Sequence, residues 1–268
     1  MKKLSIITIC LNAESQIRIT LDSVTNQTFK DYEFIVIDGG SKDRTISIIN
    51  EYSNKIDFFI SEKDFGIFDA QNKGAEHSSC EYLLFLNSGD YLCNSKVLEN
   101  IFLTNPHQDL VYGDIVFQCK SGFKYRKETP DHITPIFMML DSLPHPCCLI
   151  KKNLFMKIGG YDTRIKFSAD YDFFLKALFL ENCSYQKLHF PISIFNLEGV
   201  SSGTKNKKII QQERKKSQIK YLKFRDVENY YRFKYYYDLR YKKIQYFIDL
   251  LKSIFFKNYI NCKSFKSY

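Results

Sequence analysis

The chain has 268 residues, 44% hydrophobic and 16% aromatic, which is enough for one large α/β domain with an extension or for two small domains. No stretch approaches the ~20 apolar residues of a membrane-spanning helix, and the N-terminal residues do not resemble a secretory signal, so we expect a cytoplasmic protein. The net charge of +9 is unevenly placed. Residues 1–204 are mildly acidic, whereas residues 205–268 carry 18 basic and 5 acidic side chains.

The first ninety residues alternate between strand and helix patterns. Apolar, β-rich runs predict strands at residues 4–10, 34–37, 58–60 and 82–86. Apolar residues at helical spacing predict a helix at residues 14–26, residues 43–52 are predicted to form another, and residues 66–78 are predicted as a loop that enters a helix. This order is typical of an α/β fold with a mostly parallel, Rossmann-like sheet that is flanked by helices.

Polar residues follow three of the predicted strands. Asn12 comes after the first strand, Asp38 after the second, and the turn Asn87–Asp90 after the fourth. Because open α/β sheets bind ligands at the carboxyl ends of their strands, we expect a binding site at this edge.

The alternation becomes irregular after residue 95. A strand is predicted at 110–112, a helix at 152–158 before Gly159 and Gly160, and another helix from the N-cap candidate Ser168 to about residue 180. The composition changes near residues 201–205. We therefore predict a catalytic domain at 1–204 and a helical extension at 205–268.

The chain resembles family 2 glycosyltransferases over its first ninety residues. The matching pieces, in family order and spacing, are Ser5–Thr8 with Asn12, Gln27–Phe29, Ile37–Thr45, Ser61–Gly74 and Phe85–Asp90. A weaker resemblance continues through Tyr112–Asp114, His145-Pro146 and Ala169–Asp172 to about residue 201. The resemblance implies a GT-A fold. It also implies inverting transfer of a sugar from a nucleoside diphosphate, expected to be UDP, to a glycan or lipid-linked glycan in bacterial polysaccharide or lipopolysaccharide synthesis.

The resemblance also assigns residues to the donor. The predicted donor-binding residues are Thr8, Asn12, Glu14, Asp38, Asn72, Lys73 and Asn87. Asp38 would accept the imide N–H of uracil, and Lys73 would offset phosphate charge. The alternatives are a turn-forming Asp38 before Gly-Gly and a Glu14 that only stabilises a helix N-terminus.

Asp90 is the predicted metal ligand. A divalent cation, Mn²⁺ or Mg²⁺, would stabilise the charge that grows on the departing diphosphate. The family usually presents Asp-x-Asp-Asp, whereas this chain has Asn87-Ser88-Gly89-Asp90. We therefore expect weaker metal affinity, with the donor diphosphate supplying much of the coordination. The alternative is a plain turn.

Asp170 is the predicted general base, which would take the proton of the acceptor hydroxyl. Asp172 is held in reserve, since two residues along a helix it faces elsewhere. Asp114 and His145 are predicted to contact the acceptor. Purely structural roles are the alternatives for Asp114, His145 and Asp170.

The basic tail has an apolar stripe at helical spacing, formed by Tyr237, Tyr241, Ile244, Ile248, Leu251 and Phe255. A basic amphipathic helix of this kind is typical of a peripheral contact with an anionic membrane, here its inner face. The stripe would equally suit packing on the catalytic domain or a homodimer contact. No nucleic-acid motif is recognised, and we expect no nucleic-acid partner.

Two other functions stay open at this stage. A nucleotidyltransferase would need a glycine-rich basic loop after the first strand, and Thr8–Asn12 offers none. A catalytically inactive sugar- or membrane-binding scaffold is compatible with the reduced acidic turn at Asn87–Asp90.

Overall fold

The structure is a computed structural model that describes residues 2–197, 206–223, 226–232 and 234. The chain divides into two compact units, residues 1–221 and 222–268. The predicted stripe from Tyr237 to Phe255 lies outside the described residues. In the second unit, residues 226–232 are helical.

The described residues of the first unit are built around one nine-stranded sheet. Its strands are β1 (Leu4–Cys10), β2 (Tyr32–Asp38), β3 (Phe58–Ser61), β4 (Tyr82–Phe85), β5 (Tyr91–Leu92), β6 (Leu110–Gln118), β7 (Lys124–Lys127), β8 (Cys148–Lys151) and β9 (Tyr185–Asn196). The strand order is β3-β2-β1-β4-β8-β6-β9-β5, and β7 pairs with β6.

Helices flank this sheet. Those of the first unit are α1 (Ile17–Thr25), α2 (Thr45–Asn50), α3 (Ile67–His77), α4 (Val97–Leu103), α5 (Pro135–Leu140), α6 (Lys152–Ile158), α7 (Ala169–Leu175) and α8 (Lys207–Tyr221). A π-helical turn, Lys176–Leu180, continues α7. No helix within the described residues is long and apolar enough to cross a membrane.

The β3-β2-β1-β4 half of the sheet is parallel, as predicted. All seven residues of β1 are buried, and their Ile-rich sequence suits a strand covered on both faces. Burying each large aliphatic side chain contributes roughly 1.5–3 kcal/mol. The predicted strands at 4–10, 34–37, 58–60 and 82–86 are all present, so this half of the fold is confirmed.

The other half of the sheet is mixed. Strand β8 runs antiparallel between β4 and β6, while β9 runs parallel to β6. Strands β6 and β7 form an antiparallel hairpin. Strand β6 continues to Gln118, beyond the predicted end at residue 112.

Helix α8 packs on the catalytic body through polar contacts to the segment around α7. The Glu213 carboxylate accepts hydrogen bonds from the amides of Lys166 and Phe167 and from Ser168 Oγ (3.0, 3.1 and 2.8 Å). Ser168 is the residue before α7, as predicted, but its hydroxyl makes no capping bond to the helix. The entry to α7 is therefore fixed by α8, which lies beyond the expected boundary at residue 204.

Candidate active site

The carboxyl ends of β2, β1 and β4 lie side by side and form the edge predicted to bind ligand. The chain order reverses at β1, because β2 pairs on one side of it and β4 on the other. Thr8 Oγ1 donates to the Leu86 carbonyl at 2.8 Å, which fastens the segment after β4 to β1. Since neighbouring strands are about 4.8 Å apart, the ends of β2 and β4 are about 10 Å apart. Ligands of open α/β sheets bind at such a reversal.

Asp38 is the last residue of β2, and its carboxylate oxygens already accept hydrogen bonds from other groups of the protein. The residue has 0% exposure. Its Oδ2 accepts from the amides of Gly40 and Ser41 and from Ser61 Oγ (3.1, 2.9 and 2.6 Å), while its Oδ1 accepts from Ser41 Oγ and Cys10 Sγ. Burial alone would raise the pKa of Asp38, but these bonds hold it below its ordinary value. The base contact of Asp38 stays a prediction that would require one of these bonds to be replaced.

The loops after β1 and β2 are bound to each other. Asn12, at a φ of 48°, accepts the Lys42 amide on its Oδ1 (2.8 Å), and its own amide donates to Ser41 Oγ (2.8 Å). Glu14 Oε2 accepts the Arg44 amide at 3.0 Å. Asn12 and Glu14 are nevertheless exposed residues. We call residues 11–15 and 38–45 the β1–β2 rim. Its contacts agree with the predicted donor side of the site and do not test it.

A chain of four polar side chains links the end of β4 to the start of α7. Gln71 Nε2 donates to Asn87 Oδ1 at 2.9 Å. Asn87 Nδ2 lies 3.2 Å from His145 Nε2, and His145 Nδ1 lies 3.2 Å from Asp170 Oδ2. A carboxylate only accepts hydrogen bonds, so we assign the hydrogen to Nδ1, which leaves Nε2 as the acceptor for the Asn87 amide. The hydrogen bonds of these four side chains therefore all run in one direction, from Gln71 toward Asp170.

Asp170 is held as a charged and reachable carboxylate. Its side chain is 23% exposed and that of His145 is 14% exposed. Burial alone would raise the pKa of Asp170, but the bond from His145 and the nearby Arg214 keep it below its ordinary value. The Tyr171 amide donates to its other oxygen at 2.8 Å. The carboxylate is thus ionised at neutral pH and suited to accept a proton.

Asp90 is the acidic residue of the β4 turn and is almost enclosed, with 5% exposure. Burial raises its pKa to about 7, against the opposing effects of His145 and of the Asn196 amide. That amide donates to Oδ1 at 3.1 Å, and Oδ2 has no hydrogen-bond partner in the described part of the chain. A buried carboxylate with one free oxygen fits a cation, whose charge would offset the cost of ionisation.

The described residues contain no group of three or more His, Cys, Asp or Glu side chains placed to hold a metal ion. That Asp90 binds the cation together with oxygens of the donor diphosphate stays a prediction.

Residues 5–159, more than half of the chain, match Glycosyl transferase family 2. The chain belongs to this family. The enzyme is therefore a glycosyltransferase, and the match supports this prediction over the nucleotidyltransferase alternative.

Relatives of the enzyme carry the same activity in their names. It is 28% identical over 207 residues to a PGL/p-HBAD biosynthesis glycosyltransferase from Mycobacterium bovis, covering 75% of this chain and 79% of the relative. It is 30% identical over 198 residues to an uncharacterized glycosyltransferase from Haemophilus influenzae, covering 71% of this chain and 67% of the relative.

Solved structures share the fold. The match to the crystal structure of S. aureus TarS has a TM-score of 0.60 at 22% identity, and covers 72% of this chain but only 36% of that one. The TarS 1–349 structure in complex with UDP gives a TM-score of 0.62 at 19% identity, covering 84% of this chain and 68% of that chain. Mannosyltransferase PcManGT from Pyrobaculum calidifontis, in complex with GDP-Man and Mn²⁺, gives 0.53 at 17% identity, covering 72% and 56%. The predicted GT-A fold is confirmed.

Two predicted donor residues of the glycosyltransferase make contacts of their own. The side-chain amide of Asn72 binds the Tyr161 backbone through both of its polar atoms. Its Nδ2 donates to the Tyr161 carbonyl at 2.8 Å, and its Oδ1 accepts from the Tyr161 amide at 2.9 Å. Lys73 Nζ pairs with Glu62 at 2.9 Å and with Asp69 at 3.4 Å, so two carboxylates already offset its charge. Their contacts with the donor stay predictions. The sequence pattern did not reveal these partners.

Asp114 lies in a buried ion pair rather than on an open surface. Its side chain is 1% exposed and pairs with Arg126. The amide and the hydroxyl of Thr129 also donate to it, at 2.9 and 3.1 Å. Burial alone would raise the pKa of Asp114, but these bonds hold it below its ordinary value. Its predicted acceptor contact stays a prediction, and the observed contacts give it a structural role.

Asp172 faces away from Asp170, as expected. It accepts from Ser217 Oγ at 2.6 Å and from the Tyr221 hydroxyl at 3.1 Å, both on α8. It also lines a polar cavity of about 420 Å³ with Asn72, Arg164, Lys176 and Lys220. This cavity is bordered by neither Asp90 nor Asp170, so we do not assign the chemistry to it.

Gln71 and Tyr161 were not predicted as site residues. Gln71 is 1% exposed and Tyr161 is 2% exposed, yet Gln71 Oε1 and the Tyr161 hydroxyl have no hydrogen-bond partner among the described residues. Burial raises the pKa of Tyr161, and the nearby charge of Asp170 adds to this effect. Leaving such a group unpaired costs about 1–3 kcal/mol. A glutamine between apolar Phe68 and Ala75 on the buried face of α3 was the available sequence signal.

Proposed function

We propose that the enzyme transfers a sugar from a UDP-sugar to a hydroxyl group of a glycan or lipid-linked glycan, with inversion at the anomeric carbon. The observation that carries the proposal is the Asp170 carboxylate, which is partly exposed and is kept ionised by the bond from His145. The same His145 ring is close enough to Asp90 to influence its pKa. Asp170 takes the proton of the acceptor hydroxyl as its oxygen bonds to the anomeric carbon. The bond to UDP breaks in the same step, and UDP leaves with the electron pair.

Asn87 and His145 set the geometry of this base. His145 Nδ1 donates to Asp170 and fixes the orientation of the carboxylate. The Asn87 amide donates to His145 Nε2, which determines that the hydrogen of the ring is on Nδ1. Asp90 would hold Mn²⁺ or Mg²⁺ through its free Oδ2. The ion, when bound, supplies positive charge to the leaving diphosphate.

UDP is the preferred donor nucleotide because two observations agree. The resemblance to family 2 implies it, and the TarS 1–349 structures that share this fold contain UDP or UDP-GlcNAc. PcManGT binds GDP-Man and Mn²⁺, which makes GDP the comparison ligand and supports the choice of metal.

A thermal-shift screen tests this function. The full chain is heated with UDP, CDP or GDP, each with and without Mn²⁺. We expect UDP with Mn²⁺ to raise the Tm most, and a UDP-sugar to be consumed when a glycan acceptor is added. Equal stabilisation by all three nucleotides, or by none, would contradict the proposed donor.

The basic tail supports an acceptor that is presented at a membrane. We propose that residues 222–268 place the enzyme on an anionic, cytoplasmic membrane face, close to a lipid-linked glycan. Vesicles with anionic lipid should bind the full chain in a salt-sensitive way and should not bind residues 1–221, a compact unit that retains α8. Equal binding by both proteins would dismiss this role, and a dimer lost on truncation would favour the subunit contact.

A further inference from the structure

The structure leaves open which side chain recognises the donor base. Asp38 was predicted for this task, but five donors in the protein already occupy its oxygens, and its exposure is 0%. A carboxylate in this state has little capacity for another N–H. The group that recognises the base should carry a free acceptor at the same strand ends.

Asp64 places such an acceptor over the end of β2. A Cβ atom built on Gly39 would overlap Asp64 Oδ2 and would lie 3.1 Å from its Cγ. The carboxylate therefore occupies the space that a side chain at position 39 would need, and only glycine leaves room for it. Asp64 Oδ1 accepts the Gly66 amide at 3.0 Å, whereas Oδ2 has no hydrogen bond within the described residues.

Two exposed apolar residues lie in the segments around this carboxylate. Cys10, at the end of β1, is near enough to Asp64 for its thiol pKa to be raised further by that charge, after burial and Asp38. Leu11, the next residue, is 53% exposed, and Phe65, which follows Asp64, is 88% exposed. A flat base with an N–H edge requires a free acceptor and apolar surface, and these segments offer both.

We propose that Asp64 recognises the nucleobase of the donor, with Oδ2 accepting the N3–H of uracil and Gly39 providing the space. The proposal rests on the proposed UDP-sugar donor. Cytosine has a lone pair at N3 in place of the N–H, so a carboxylate there repels it. Asp38 then has a different task, which is to hold the Gly40–Ser41 turn that carries Gly39.

The Asp64→Asn variant tests the assignment through base preference. Calorimetry with Mn²⁺ measures the Kd of UDP and of CDP for the full chain, the variant, and Glu76→Gln, an exposed carboxylate on α3 that serves as the matched control. We expect UDP to bind Asp64→Asn roughly 10- to 100-fold more weakly, as for loss of a charge-assisted bond. CDP should bind it as well as UDP or better, because an amide can donate to N3. The control should keep the wild-type preference.

A second pair of variants protects the test from a folding failure. Gly39→Ala should push the Asp64 carboxylate aside and weaken UDP binding roughly tenfold. The same change should add nothing in an Asp64→Ala background, because the clash is gone. If wild type binds UDP but Asp64→Asn keeps its affinity and preference, or if the two substitutions add, the role of Asp64 is overturned. If wild type binds no UDP, the proposed donor and the role of Asp64 both fall.

Discussion

The β1–β2 rim and the β4–α7 cluster (Gln71, Asn87, Asp90, His145 and Asp170) differ in how their polar atoms are satisfied. In the rim, the side-chain oxygens of Asp38, Asn12 and Glu14 accept hydrogen bonds from backbone amides of the protein. In the cluster, Gln71 Oε1 and Asp90 Oδ2 have no such partner among the described residues, and Asp170 stays partly exposed. The rim is therefore a prebuilt scaffold, whereas the cluster keeps unsatisfied groups for ligands. Substitutions in the rim should change affinity or stability. Those in the cluster should change turnover, and at Asp90 also stability.

The largest effect is expected from Asp170→Asn. Because an amide cannot take the acceptor proton, kcat should fall by roughly 10³-fold or more while the Kd of UDP with Mn²⁺ stays the same. Asp172→Asn is the matched control, since it lies on the same helix but contacts α8. Single-turnover transfer assays measure both variants. Comparable losses in the two would remove the distinction between these carboxylates.

Asp90→Asn should separate activity from stability. Transfer with Mn²⁺ should fall roughly 100-fold, because the ion loses its charged protein ligand. Without metal, the same change should stabilise the protein above pH 7, since the buried charge is removed.

The sign of this stability change follows from the raised pKa of Asp90. Between about pH 4 and pH 7, folded Asp90 keeps a proton that the unfolded chain releases. Its contribution to stability therefore declines as the pH rises through this window and stays low above it. Melting in EDTA should give equal Tm values for wild type and Asp90→Asn at pH 4, and a Tm roughly 2–6 °C higher for the variant at pH 8. A lower Tm at pH 8 would show that Asp90 is not buried as a costly charge.

His145→Ala should have an intermediate effect with a distinctive pH dependence. Loss of the ring removes the bond that lowers the pKa of Asp170, so the acidic limb of the kcat/KM profile should move to higher pH. At neutral pH, turnover should fall roughly tenfold, equivalent to about 1.4 kcal/mol. His107→Ala, an exposed loop histidine, is the control. An unshifted acidic limb would mean that His145 does not tune Asp170.

Glu213→Gln should have the smallest effect, and on stability rather than chemistry. The carboxylate of α8 accepts three hydrogen bonds from residues 166–168, and the amide keeps only part of this capacity. We expect a loss of about 1–2 kcal/mol in the free energy of unfolding, measured by urea denaturation. Glu76→Gln should leave it unchanged. A loss of turnover without a loss of stability would give α8 a more direct role in catalysis.

The parallel half of the sheet was predictable because its strands and helices have clear periodicities and its family motifs are dense. The short antiparallel β8 and the extended β6 were not, since neither has a periodic pattern long enough to define its ends. Residue types gave the candidates for the site but not the partners that occupy them. The sequence pattern does not show which residues come together in the fold. Examples are the ion pairs of Lys73 and Asp114, the Gln71–Asn87 hydrogen bond and the Glu213 contacts.

A crystal structure of the full chain with UDP and Mn²⁺ tests the central claim most directly. The claim is that the donor-binding residues and the general base Asp170 lie at the same edge of the sheet, formed by β2, β1 and β4. We predict the uracil beside Asp64 and Gly39, the diphosphate across the end of β1, and anomalous density for Mn²⁺ at Asp90 Oδ2, on the side of the site that contains Asp170. UDP bound instead in the 420 Å³ cavity beside Asp172 and Lys220, with no ion at Asp90, would contradict the account.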